Sequence, residues 1–161
     1  MSSRQEMQRF IRFWKEKTGA TEVDMHEVAK LAAEMGWNLP VPQSPIDLLA
    51  KRFKDAARDE TEYDKETGQP YRVYHAVPAM TADGQTSMFV YVDISDAKRN
   101  VMLKSAVIRR EQMIGDGLQL TLDLDHWNRI NPKDEPIELP MDLGPDIEWR
   151  KNTPDDDEEV G

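Results

Sequence analysis

Asp123, Asp125 and His126 are the densest group of residue types in this chain that bind metals, and His75 is the one histidine set in a strongly apolar stretch. Zinc takes three or four protein ligands and harder cations take more. On a helix Asp123 and His126 are neighbours at i, i+3, whereas on a strand Asp123 and Asp125 share a face and His126 points away. Either way the remaining ligands must come from elsewhere, so the cluster reads as a solvated polar face with His126 beside Trp127, and no metal is expected. His75 has no Ser, Lys or carboxylate placed beside it to act with it in proton transfer. It reads as a core histidine bonded to a backbone carbonyl. Gly115-Asp116-Gly117 follows no strand and precedes no Lys-Ser/Thr pair, and Lys65 and Lys133 also lack a phosphate-loop context. No residue is assigned to catalysis, no cofactor is expected, and the chain is read as non-enzymatic.

Binding chemistry is better represented. Lys51, Lys54 and Arg58 stand at i, i+3, i+7 on one side of an amphipathic segment, a spacing that aims three cations outward together. Arg72, Tyr74, Phe89 and Tyr91 share one face of a strand pair by alternation. Such a face can stack nucleic-acid bases beside a guanidinium, or it can pack a helix or a second subunit with Arg72 at the rim.

The net charge of −10 does not exclude an anionic partner. Residues 132–161 carry eleven Asp and Glu against Lys133, Arg150 and Lys151, which is eight of the ten net negative charges. Residues 1–131 are therefore near neutral. The run Asp155 to Glu159 reads as a solubilising tail, with a flexible phosphate mimic as the sharper alternative. The absence of cysteine removes disulfides, thiolate metal sites and thiol nucleophiles together. Neither an apolar leader after Met1 nor a run approaching the ~18 apolar residues of a membrane span is present. A soluble, cytoplasmic protein with no membrane partner is expected.

The elements follow from periodicity. Met7, Phe10, Ile11 and Trp14 predict a helix over 3–18, stopped by Gly19. Thr21 is expected to cap a second helix carrying Met25, Val28, Ala29, Ala32 and Met35, ended by Gly36. Ser44-Pro45 opens a third, with Ile46, Leu49, Ala50, Phe53 and Ala57 as its buried side. Beyond residue 60 the period becomes two: Tyr71, Val73, His75, Val77 and Ala79 form one strand, Met88, Val90, Val92 and Ile94 another, with a turn at Asp83-Gly84. Residues 118–125 fit both strand and helix, but the longer row of Met102, Ala106, Met113, Gly117, Leu120, Leu124 and Trp127 favours a helix of about 50 Å over 96–130. A kink or break is expected at Gly115 or Gly117. Arg109 is the one fault in that row. The unburied area of this segment, Met102, Ala106, Met113, Leu120, Leu124 and Trp127 on one row and Leu103, Val107, Ile114 and Leu118 on another, predicts a homodimer through residues 96–130.

Three helices followed by a hairpin resemble the winged helix-turn-helix superfamily over residues 3–94, on Ala29, Ala32, Gly36, Ser44-Pro45, Leu49 and Phe53. The fold class expected is α+β: a winged-helix-like domain (1–94), a long helix for dimerisation (95–131) and an acidic C-terminal tail (132–161). The resemblance implies double-stranded DNA as partner, met by Lys51, Lys54 and Arg58 of the third helix, with the hairpin as wing. Gly68 to Val77, Asp125-His126-Trp127-Asn128 and Pro136-Ile137-Glu138-Leu139 also resemble a group of small bacterial proteins without assigned function, which implies a bacterial or phage origin. Asp47, Asp55, Asp59 and Glu60 cancel Lys51, Arg52, Lys54 and Arg58, so the alternative is an acidic adaptor or inhibitor that binds a protein and not DNA.

Overall fold

The computed structural model describes residues 2–80, 84 and 86–153, so most of the hairpin tip and the run Asp155 to Glu159 lie outside the described residues. It is an α+β chain with two compact units, Met1–Arg52 and Phe53–Gly161.

In the first unit, α1 (Ser3–Thr18) and α2 (Met25–Glu34) close on a small core of Phe10, Trp14 and Val28, edged by Ile11, Ala20, Val23, Leu31 and Ala32. Trp37 adds its ring to Phe10 with centroids 5.1 Å apart. The helix ends are fixed locally. Ser2 and Gln5 form a reciprocal capping box on α1, and Gly19 ends it at φ 69°, with its N–H on Lys15 O at 2.8 Å. Thr21 is not the cap of α2: Asp24 takes that place and accepts from His26 N at 2.9 Å. A carboxylate one residue before the helix satisfies a free N–H and meets the positive end of the dipole, which outcompetes a hydroxyl three residues upstream.

The third helix, α3 (Pro45–Asp59), begins at the expected place, with Ser44 Oγ accepting from Asp47 N at 3.3 Å. Its apolar side is not buried. Ile46 is 71 % exposed and Phe53 68 %. Periodicity identifies which side of a helix is apolar but supplies no partner to cover it.

In the second unit the end of α3 is followed by a hairpin absent from the periodicity, β1 (Thr61–Tyr63) paired with β2 (Pro70–Arg72). Its turn is held by Asp64, whose Oδ1 accepts from Glu66 N at 2.9 Å and Thr67 N at 3.0 Å. Those bonds, from Thr67 first and then Glu66, hold the Asp64 carboxyl below its ordinary value. The strand expected over 71–79 therefore divides. Val73 N donates to Glu60 O and Val73 O accepts from Ile94 N at 2.8 Å, so the residue joins two ladders. Beyond it β3 (Tyr74–Met80) pairs antiparallel with β4 (Thr86–Asp93). Val73, His75 and Val77 are buried, as their alternation requires.

Helix α4 (Arg99–Ile130) runs 32 residues, so residues 118–125 are helical and no break falls at Gly115 or Gly117. Tertiary contact explains part of this. The C-terminal segment after α4 returns along it, and a Cβ placed at Gly117 would meet Met141 Cε at 3.1 Å. Asn128 holds Ile137 in the same segment, and α5 (Gly144–Asn152) follows. Gln69 Nε2 donates to Lys151 O at 3.1 Å, tying α5 to the β1–β2 turn. Among the described residues no helix is long and apolar enough to cross a membrane.

Candidate functional site

A groove of about 850 Å³ in the second unit gathers side chains from three elements. The end of α3 supplies Lys54, Arg58 and Asp59, the β2–β3–β4 region supplies Arg72, Tyr74, Phe89 and Tyr91, and α4 supplies Ser105, Ile108, Arg109 and Gln112. The register explains the hairpin's share. Tyr91 stands opposite Ala76, and Phe89 opposite Pro78, so small residues flank the aromatic rings on the same face. Phe89 is 57 % exposed. It offers a ring face to anything that enters.

His75 forms part of the wall and is 8 % exposed. Its Nε2 lies 2.9 Å from Arg72 O. A carbonyl only accepts, so Nε2 carries the proton. The histidine therefore orients the chain at Arg72, as its sequence context predicts. Ser105, 2 % exposed, is the buried residue of α4, and a small side chain there lets the helix approach the hairpin closely.

The electrostatics of the groove differ from those of its elements. Lys54, Arg58, Arg72 and Arg109 face one carboxylate, Asp59. Asp47 and Asp55, which with Asp59 and Glu60 cancel the four cations over residues 45–60, are not among the lining residues. Among the described residues the only ion pair within 4.0 Å is Lys30–Glu27. The four groove cations thus have their charge available to an anion, in a concave site where fields are focused. The arrangement can bind a polyanion and stack planar groups.

Six of the seven contact residues expected from sequence meet here: Lys54, Arg58, Arg72, Tyr74, Phe89 and Tyr91. Lys51 is exposed and is not among the lining residues. Arg109 was not expected, although its sequence signal was visible as a lone cation interrupting an apolar row. Of the residues expected at a dimer seam, Met102 and Leu124 are half-buried within the chain, while Ala106, Met113, Leu120 and Trp127 are exposed. Asp123, Asp125 and His126 do not converge on a metal: among the described residues no three His, Asp or Glu groups are placed to hold one. Arg129 Nη2 instead donates to His126 Nδ1 at 3.3 Å.

No protein-family model matches the chain, and neither does any curated protein or solved structure. The functional reading therefore rests on this chain's own geometry.

Proposed function

We propose that this is a non-enzymatic DNA-binding protein of winged-helix-like type, acting in a bacterial DNA-linked process through the groove beside α3. The observation that carries the reading is the convergence of Lys54, Arg58, Arg72 and Arg109 with Tyr74, Phe89 and Tyr91 in one open site. Phosphate neutralisation supplies most of the free energy of DNA binding. Four cations in one groove provide it although the chain's net charge is −10. The helix and the hairpin both reach the same ligand, which is how a winged-helix domain combines its recognition helix and its wing.

The test is fluorescence anisotropy with a random duplex across a range of salt. Four phosphate contacts give a slope of log Kobs against log salt of about −3 to −4. Absence of binding at low salt would overturn the reading. A single strand of the same sequence is the second arm, because aromatic rings in a basic groove also bind unpaired bases. Tighter binding of that strand at equal salt would move the ligand from duplex to single-stranded DNA.

A second reading, a protein-binding adaptor that makes no DNA contact, is favoured by one observation. The apolar side of α3 is open, with Ile46 71 %, Leu49 47 % and Phe53 68 % exposed, and apolar stripes of that kind dock in partner grooves. On this reading the anisotropy stays flat at every salt.

A further inference from the structure

One face of α4 is apolar and open. Leu103, Val107, Ile114 and Leu118 are 49 %, 49 %, 47 % and 58 % exposed. At about 100° per residue the four fall within roughly 60° of arc and extend over about 22 Å of helix. Ser105, Ile108, Arg109 and Gln112, the groove residues of α4, centre roughly 160° away. The face and the groove are on opposite sides of the helix. Of the two rows expected from sequence to meet a second copy, the one through Met102 and Met113 is partly occupied by the chain itself, since Met141 rests at Gly117. The Leu103 to Leu118 face is the more open of the two.

We infer that this face pairs with a second copy of the chain, helix beside helix, parallel and in register, leaving both grooves free. The charges at the middle of the face select both the occupant and the direction. Arg110 and Glu111 are the gap between Val107 and Ile114, and at about 100° per residue they flank the apolar line on opposite edges. In a parallel pair the two-fold axis runs along the helices, so the left edge of one meets the right edge of the other. Arg110 then faces the partner's Glu111, and Glu111 faces the partner's Arg110. In an antiparallel pair like edges meet, which opposes Arg110 to the partner's Arg110 and Glu111 to the partner's Glu111. The same patch closes on itself in the parallel arrangement, as an isologous dimer requires. Its apolar residues are then self-matched, Leu103, Val107, Ile114 and Leu118 each against its own copy.

The chain has no cysteine, so single cysteines report the geometry directly. Oxidised Val107→Cys and Ile114→Cys proteins should each form disulfide dimers with themselves. Mixing the two should give no mixed dimer, because a parallel register separates those positions by about 10 Å of helix. Mixed dimers alone, or no cross-link from either variant, would overturn the pairing. Charge supplies the second arm, read by sedimentation equilibrium of the full chain with helicity checked by circular dichroism. Arg110→Glu should weaken dimerisation about tenfold, because it turns two attractive contacts repulsive. The double change Arg110→Glu with Glu111→Arg should restore it. A wild-type monomer at micromolar concentration, or a double variant as weak as the single one, would contradict the proposal.

Discussion

The side-chain amide of Asn128 grips the main chain of Ile137 from both sides: Nδ2 donates to Ile137 O and Oδ1 accepts from Ile137 N, each at 2.9 Å. This pair fastens the returning segment to the last turn of α4. Asn128→Asp keeps the acceptor but sets a carboxylate against a carbonyl oxygen. It should cost about 1 to 2 kcal/mol in urea unfolding, the range for two lost or opposed hydrogen bonds at a half-exposed site. Amide exchange at Ile137 should speed up with it. A protected Ile137 amide in the variant would mean the segment is held by other contacts.

The two glycines of α4 should respond differently to a methyl group. A Cβ at Gly115 meets nothing within 4 Å, whereas at Gly117 it meets Met141 Cε at 3.1 Å. Gly115→Ala should raise stability by up to ~1 kcal/mol through helix propensity alone. Gly117→Ala should gain less, because the Met141 side chain must give way. Equal gains by calorimetry would show that Met141 does not pack there in solution.

Tyr71 should titrate above its ordinary value of 10.0. Burial raises it first, and the hydrogen bond its hydroxyl donates to Glu62 Oε2 at 3.2 Å adds to that, with the charges of Glu62, Asp64 and Asp93. A folded value raised above the unfolded one contributes stability that is complete below the unfolded value and lost as pH rises through the folded value. The β1–β2 hairpin should therefore loosen in alkali as the pH rises from 10.0 through the raised folded value. Ultraviolet titration of Glu62→Gln should bring the phenol part of the way back toward 10.0, burial remaining. An unchanged value would remove Glu62 as a cause.

The parts of the fold legible in sequence were those written in local chemistry. Gly19 and Gly36 end their helices, Ser44-Pro45 opens α3, and the alternation through Val73, His75 and Val77 marks the buried side of β3. What escaped depends on distance. Strands β1 and β2 are three residues each, too short for a period to show. The open apolar side of α3 could not be foreseen, because Ile46 and Phe53 have the spacing of a buried stripe whether or not anything covers them. The groove was half legible. Helix and hairpin residues were each identified, but their meeting depends on tertiary placement, and so does the recruitment of Arg109. The neutral sum over residues 45–60 concealed that Lys54 and Arg58 face the groove while Asp47 and Asp55 are not among its lining residues.

The exposed cations of that groove predict an unequal response to charge removal. Lys54, Arg58 and Arg72 changed together to Glu should leave folding intact, since all three are exposed, and should abolish DNA binding. Retained binding by a folded triple variant would move the contact away from α3 and the hairpin.

Arg109 against Lys51 is the sharpest comparison, because sequence spacing alone favours Lys51 and the groove favours Arg109. The measurement is the salt dependence of duplex binding for Arg109→Ala and Lys51→Ala beside the wild type. The groove account predicts that Arg109→Ala lowers the magnitude of the log–log slope by about 1, as expected when one phosphate contact is lost, while Lys51→Ala leaves it unchanged. A slope lowered by Lys51→Ala and untouched by Arg109→Ala would contradict it.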